Sequence, residues 1–236
     1  MKAYFTVDVE HDCPPFLDTW RGIEEGLPRL LAMLEGEAVK GTFFTTGEVA
    51  RRYPSAAQAI VDSGHELACH GDTHRDFTTL DPAESEKELA RASTALRRFA
   101  PVTSFRAPYL RFPRRSLPLL ERHGYLLDSS EGRHKHLRAT VHRDASLLRV
   151  PASVTSSTLR WPRHVRDAVL RRLREPAVLF VHPWEFVDFR RAPIRWDCRF
   201  RTGDAALSCV RSALRCLIGQ GAAFGLMRDC DDDRSH

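Results

Sequence analysis

With 236 residues, 42% apolar and 28% charged, the chain carries enough apolar material for one packed domain and too much for an extended disordered protein. Its net charge of +5 and pI near 9.1, carried almost wholly by arginine, permit an anionic partner. No zinc-finger spacing or aromatic–basic motif supports a nucleic-acid reader, and none is expected. Six cysteines without a Cys-x-x-Cys pair exclude a zinc ribbon and a dense disulfide framework.

Ala3 to Val7 is short, aromatic and β-branched, a buried strand by composition, and it runs into Asp8, Glu10 and Asp12. Arg21 to Leu34 has helical apolar spacing, with Gly36 where a C-cap belongs. A second strand over 41–47, a helix over about 48–63, and a strand leading into His70 and His74 follow. Asp81-Pro82-Ala83-Glu84 opens a helix that continues to about Phe99. Val102 to Pro108 reads as a strand, Arg114 to His123 as a helix stopped by Gly124, and Tyr125 to Asp128 as another strand. Residues 131–142 read as a surface loop. Leu147 to Pro151 and Ala177 to His182 are further strands, and Arg163 to Arg174 is a basic helix whose Val165, Val169 and Leu173 form a core-facing stripe. A helix over 204–218 and a strand over 222–226 complete the pattern, with 229–236 expected to be a frayed tail. Alternating strands and helices predict an α/β fold, a single-domain barrel over 1–228 with a parallel sheet and crossover helices.

His70 and His74 stand four residues apart. On a helical turn that spacing puts two imidazoles on one face, and a third ligand from elsewhere leaves one metal position open for water or substrate. A lone Asp after a strand is ordinarily a cap, and a lone His or Arg is ordinarily a paired structural group. Here acids after the first strand, His70 and His74 after the third, Arg106 after the fourth, Asp128 after the fifth and His182 near the end all fall on the face where barrel sites assemble. Asp8, Glu10 and Asp12 share one strand parity, so all three can face the same site.

Five motifs in order, Asp8-Val9-Glu10, His70-x-x-x-His74, Arg106-Ala107-Pro108-Tyr109, Tyr125-x-x-Asp128-Ser129-Ser130 and Val181-His182-Pro183-Trp184-Glu185, resemble the polysaccharide deacetylase family. This is carbohydrate esterase family 4, with the NodB-homology domain, in its Asp-x-Glu branch. The resemblance implies a distorted (β/α)7-8 barrel and one divalent ion on Glu10, His70 and His74, with Asp12, of the same strand parity, the alternative carboxylate ligand. Zinc suits that set best, and cobalt, nickel, manganese or iron can take the same ligands. It further implies Asp8 as catalytic base with Arg106 opposing its charge, His182 as general acid oriented by Asp128, and the Tyr109 backbone N–H as an oxyanion donor. The implied activity is hydrolytic removal of an acetyl or formyl group from an amino sugar of a glycan or lipid-linked saccharide.

The opening through Thr19-Trp20-Arg21-Gly22-Ile23-Glu24-Glu25-Gly26-Leu27-Pro28-Arg29 is also similar to deformylases acting on undecaprenyl-phosphate-linked aminoarabinose. That similarity, with the basic charge, implies an anionic lipid-linked substrate at the cytoplasmic membrane face. The N-terminus meets acidic residues before any apolar run, and no stretch approaches a membrane span, so a cytoplasmic protein, peripheral to the membrane at most, is expected. The alternatives are an allantoinase or cyclic-imide-type hydrolase on the same fold, and a catalytically silent glycan-binding module.

Overall fold

The computed structural model describes residues 1–133 and 139–230. Strand β1 (Lys2–Val9) leads through a π-helical turn (Gly22–Gly26) into α1 (Leu27–Gly36); β2 (Thr42–Thr45), α2 (Gly47–Arg52), α3 (Pro54–Asp62) and β3 (Glu66–Cys69) follow. Next come α4 (Pro82–Leu96), β4 (Ser104–Phe105), α5 (Leu117–Arg122), β5 (Leu127–Asp128) and the strands β6 (His142–Asp144) and β7 (Leu147–Arg149). Then α6 (Arg163–Leu170), β8 (Ala177–Val181), α7 (Trp196–Arg199), α8 (Asp204–Ile218) and β9 (Ala223–Gly225) complete the described chain.

The strands lie in the order β6-β7-β5-β4-β3-β2-β1-β8, with β9 on the first residues of β1. Every pairing is parallel except β6 with β7. Beyond β7, Ser153 donates its N–H to Val178 O (2.8 Å) and accepts from Val178 N–H at its Oγ (2.9 Å). These bonds join the far side of the sheet to β8, and the sheet curls into a distorted (β/α) barrel.

Pleat alternation divides the barrel into two apolar compartments. Phe5, Val7 and Val9 of β1 belong to the large outer cluster with α1, α4 and α8, through Leu30, Leu89 and Leu214 among others. Tyr4 belongs to a smaller inner cluster with Phe44, Ala68, Leu148 and Val178. The parity that carries Tyr4 inward also carries Thr6, Asp8 and Glu10.

Several local expectations need correction. The helix over 48–63 is two helices, because Pro54 lacks an N–H and drives Tyr53 out of the helical region (φ −128°, ψ 64°). At α4 the capping box forms as the sequence indicates, with Glu84 N–H on Asp81 Oδ1 (2.8 Å) and Asp81 N–H on Glu84 Oε2 (3.1 Å). Within the loop expected over 131–142, His142 opens β6, and 134–138 lie outside the described residues. Helix α6 ends at Leu170 and buries Arg166 and Leu170, while Val165 is exposed. Arg166 can face inward because Asp167 Oδ1 (2.8 and 2.7 Å) and Cys209 O (2.8 Å) accept from its guanidinium. The tail does not begin at 229, since Met227–Asp229 forms a 3-10 turn and Cys230 is buried; 231–236 lie outside the described residues.

Candidate metal centre and acid–base site

Asp8 and Glu10 stand at the C-terminal end of β1, both buried and both lining one cavity of about 270 Å³. Arg106, in the turn after β4, is fully buried and crosses the barrel interior to meet them. Its Nη1 donates to Asp8 Oδ1 (2.7 Å) and Thr6 Oγ1 (2.8 Å), and its Nη2 donates to Ser129 Oγ (3.0 Å). The guanidinium also lies over the Phe44 ring at 4.2 Å. A buried charge is tolerable only when paired and hydrogen-bonded, and this one is both.

His70 and His74 are not on a helical turn. They occupy an irregular loop after β3, in which Gly71 (φ 77°) and His74 (φ 59°) take left-handed conformations. The loop is clamped from outside. Glu88 of α4 accepts from the N–H groups of Asp72 and Thr73 (3.0 Å each), and Arg51 of α2 pairs with the fully buried Asp72 (2.6 Å). The two imidazoles converge because this clamp turns the backbone.

The convergence point is Glu10. Its Oε2 lies 2.6 Å from His74 Nε2 and 3.2 Å from His70 Nε2, and these three residues form a metal-sized group with all ligand atoms within 4.8 Å of one another. His70 donates its Nδ1–H to the Arg106 carbonyl (2.7 Å), so in the neutral ring the lone pair sits on Nε2, facing the carboxylate. Burial alone would raise the Glu10 pKa, but the His74 and His70 imidazoles outweigh it and hold it well below the usual carboxylate range. Burial pushes the His74 pKa down, against the pull of Glu10. Both shifts favour the deprotonated forms that bind metal. Glu10 Oε2 is buried and makes no hydrogen bond among the described residues. A buried carboxylate oxygen packed against two imidazole nitrogens, with the His70 lone pair turned toward it, is the arrangement a cation relieves, so the residues present fit a divalent ion.

Asp12 is taken elsewhere. Its carboxylate accepts from Thr19 Oγ1–H (2.6 Å) and from the N–H groups of Arg21 (2.9 Å) and Gly22 (2.7 Å), capping the turn that leads into α1. Between the two acids left open by strand parity, Glu10 is the one at the histidines.

On the opposite wall, His182 follows β8 and stacks on Trp184 (centroids 5.0 Å apart, planes at 22°). Its Nδ1 donates to Glu185 Oε1 (2.8 Å), and Nε2 lies 3.8 Å from Glu10 Oε1. Glu185, fully buried, is held in turn by Arg160 Nε at 2.9 Å. The remaining Arg160 N–H groups donate to the backbone carbonyls of Asp197 (3.0 Å), Cys198 (3.0 Å) and Phe200. Burial works against a charged His182, yet the hydrogen bond to Glu185 and the charges of Glu10 and Asp8 raise its pKa to about 9. Gly22 permits the close approach that seats this segment, since a Cβ there would stand 2.6 Å from Trp184 N.

Asp128 does not orient His182. Its Oδ2 pairs with Arg149 Nε (2.6 Å) and its Oδ1 accepts from Ser130 Oγ–H, while burial pushes its pKa up. The register that pairs Asp128 with Arg149 across β5 and β7 fixes this partner. The carboxylate on His182 is Glu185, within the Val181-to-Glu185 stretch; its spacing of three from the histidine across Pro183 suits the tight turn over Pro183–Phe186. Arg160 carries no sequence signal, since it is one of many arginines. Tyr109 (φ 59°) lies at the cavity edge, its ring edge-on to His74 at 4.8 Å.

Curated relatives match this chain in sequence over less than half of its length. A peptidoglycan deacetylase-like protein of Gibberella zeae is 41% identical over 114 residues, 46% of this chain and 33% of its own length. A chitooligosaccharide deacetylase of a Bradyrhizobium species is 36% identical over 85 residues, 35% of this chain and 39% of its own. The chain therefore spans only a third to two fifths of these curated relatives. The fold extends further: a family 4 carbohydrate esterase from Streptomyces lividans, solved with acetate, superposes with a TM-score of 0.65 at 18% identity, covering 95% of this chain and 91% of that one. Residues 4–127, which include Asp8, Glu10, His70, His74 and Arg106, match the family model described as polysaccharide deacetylase, and the chain belongs to that family.

Proposed function

We propose that the protein is a divalent-metal-dependent N-deacetylase acting on the N-acetyl group of an amino sugar within a glycan, of the Asp-x-Glu type. The carrying observation is the meeting of the Glu10/His70/His74 group with the Asp8–Arg106 pair and His182 on one cavity. The names of the relatives, peptidoglycan and chito-oligosaccharide deacetylases, supply the substrate class. A silent module would have lost a ligand, the base or the acid, and none of these is missing.

Glu10 Oε2, His70 Nε2 and His74 Nε2 would hold the ion, with zinc favoured by the donor set. Bound there, it supplies Lewis acidity, polarising the amide carbonyl and acidifying water. Asp8 is tied to Arg106 through Oδ1, which directs Oδ2 to take the proton from the attacking water. His182, kept protonated by Glu185, donates from Nε2 to the departing amine nitrogen. The Tyr109 backbone N–H is assigned as the donor to the developing oxyanion.

Acetate release from N-acetylated chito-oligosaccharide and peptidoglycan fragments, measured beside elemental analysis, tests the assignment. Expected are one divalent ion per chain and acetate release that stops on chelation and returns on reloading. A metal-loaded protein releasing no acetate from either substrate, or a His70→Ala/His74→Ala variant that keeps its ion, overturns it.

A further inference from the structure

Two thiols from opposite ends of the chain meet in the wall of the proposed catalytic cavity. Cys13 follows Glu10 by three residues, has a left-handed backbone (φ 45°) and is 2% exposed. Cys198 lies in the four-residue helix α7 and is only partly buried. Both line the cavity and both pack in the apolar cluster that includes Trp184, Val187 and Phe189, where each thiol is the leading influence on the other's acidity. We propose that Cys13 and Cys198 form a dithiol that a peroxide oxidises reversibly to a disulfide, and that this bond shuts down the neighbouring acid–base site.

The pair is chemically asymmetric. The neighbouring Cys13 thiol lowers the Cys198 pKa, and Cys198 together with burial raises that of Cys13. Cys198, the more acidic and more exposed sulfur, is the attacking thiolate. It breaks the peroxide O–O bond and becomes a sulfenic acid; the departing hydroxide takes the proton that Cys198 had released and leaves as water. The Cys13 sulfur then displaces the sulfenic oxygen, which leaves as a second water with the Cys13 proton. Two thiols and one peroxide give one disulfide and two waters, with sulfur oxidised and peroxide oxygen reduced.

Closing the bond requires the two free sulfurs to approach to about 2.05 Å. Cys13 is enclosed, so the movement falls on α7, a short segment whose Trp196 is 65% exposed. Helix α7 is not independent of the chemistry. The Cys198 and Asp197 carbonyls accept from Arg160, the guanidinium that holds Glu185 on His182. Drawing Cys198 toward Cys13 shifts those acceptors and loosens the hold on the imidazole.

The test treats the metal-loaded full chain with hydrogen peroxide, followed by acid quenching, denaturation, alkylation and peptide mapping. Two of the six thiols should become unreactive and a Cys13–Cys198 linked peptide should appear, vanishing with dithiothreitol and absent from Cys198→Ser. Both cysteines alkylated after treatment, sulfinic acid at Cys198 beside a free Cys13, or linkage to another cysteine overturns the proposal. The effect on turnover rests on the deacetylase reading: acetate release should fall by at least an order of magnitude in the linked protein and recover on reduction. A linked protein with undiminished turnover overturns the coupling to His182. A protein releasing no acetate in any state defeats the deacetylase reading alone, because the peptide map decides the dithiol without it.

Discussion

Asp8 and Glu10 stand on a strand, and His70 follows one directly, so parity and register aim them; His182 is aimed by a relay of buried groups. On the β1–β4 side, Phe5, Val7 and Val9 commit one face of β1 to the helices, which leaves Asp8 and Glu10 facing the cavity. On the β8 side, His182 is held by Glu185, Glu185 by Arg160, and Arg160 by three carbonyls of 197–200. Backbone geometry positions Asp8 and Glu10 with little dependence on any one side chain, while the loop of His70 and His74 relies on its clamp. A relay positions its acid only while every link is present, and it can be tuned or interrupted at each.

Removing groups on the first side should separate metal binding from chemistry. His74→Ala is expected to lose both the ion and turnover. Asp8→Asn should keep the ion by elemental analysis and lose turnover by about 10²–10⁴-fold, the range for a positioned proton-transfer group. Equal loss of metal in the two variants would show that β1 does not divide ligand from base.

On the relay side the largest structural effect belongs to its middle link. Arg160→Met takes one of two cationic partners from the fully buried Glu185 and leaves His182 to carry the pairing, at a cost of about 3 kcal/mol, the low end for a broken buried pair, read as a fall in the denaturation midpoint with the ion still bound when folded. A midpoint within a degree or so of the parent would mean that the carbonyls of 197–200 and Glu185 are satisfied without this guanidinium.

Glu185→Gln is milder and more diagnostic. His182 must be protonated to act as acid, so activity is retained below its pKa and lost as pH rises through it. The raised pKa of about 9 includes a contribution from Glu10 that a cation on that carboxylate cancels, so the limb in the loaded protein falls below this value. Replacing Glu185 by the neutral amide removes the leading raising interaction and moves the limb further down. The rate loss at neutral pH should be smaller than that of Asp8→Asn, with metal content unchanged. A stationary limb would take His182 out of the acid role.

The same contrast decides what could be read in the sequence. Strand parity, the capping box of α4 and the His70–His74 spacing are short-range regularities, and each leads to the observed element, although His70 and His74 converge through a clamped loop rather than a helical turn. The clamp comes from Glu88 and Arg51, contacts across sequence gaps that no periodicity marks. The buried arginines misled for a related reason. Arg166 falls in the stretch read as a basic helix and Arg160 carries no signal at all, yet each is enclosed by a carboxylate and by backbone carbonyl oxygen from a distant segment. A chain with this much arginine hides its structural cations among its surface ones.

Asp128 supplies the smallest and sharpest test. It is a buried acid at a strand end, which is where an orienting carboxylate for His182 was expected, but Arg149 and Ser130 take both its oxygens. Asp128→Asn should cost roughly 1–3 kcal/mol of stability through the partly orphaned Arg149, with Glu131 still 3.1 Å away to retain part of that pairing. Metal content and the alkaline limb of the pH–rate profile should stay where they are in the parent. A downward shift of that limb comparable to the Glu185→Gln shift would return Asp128 to the relay; an unmoved limb leaves Glu185 as the carboxylate that sets the acid.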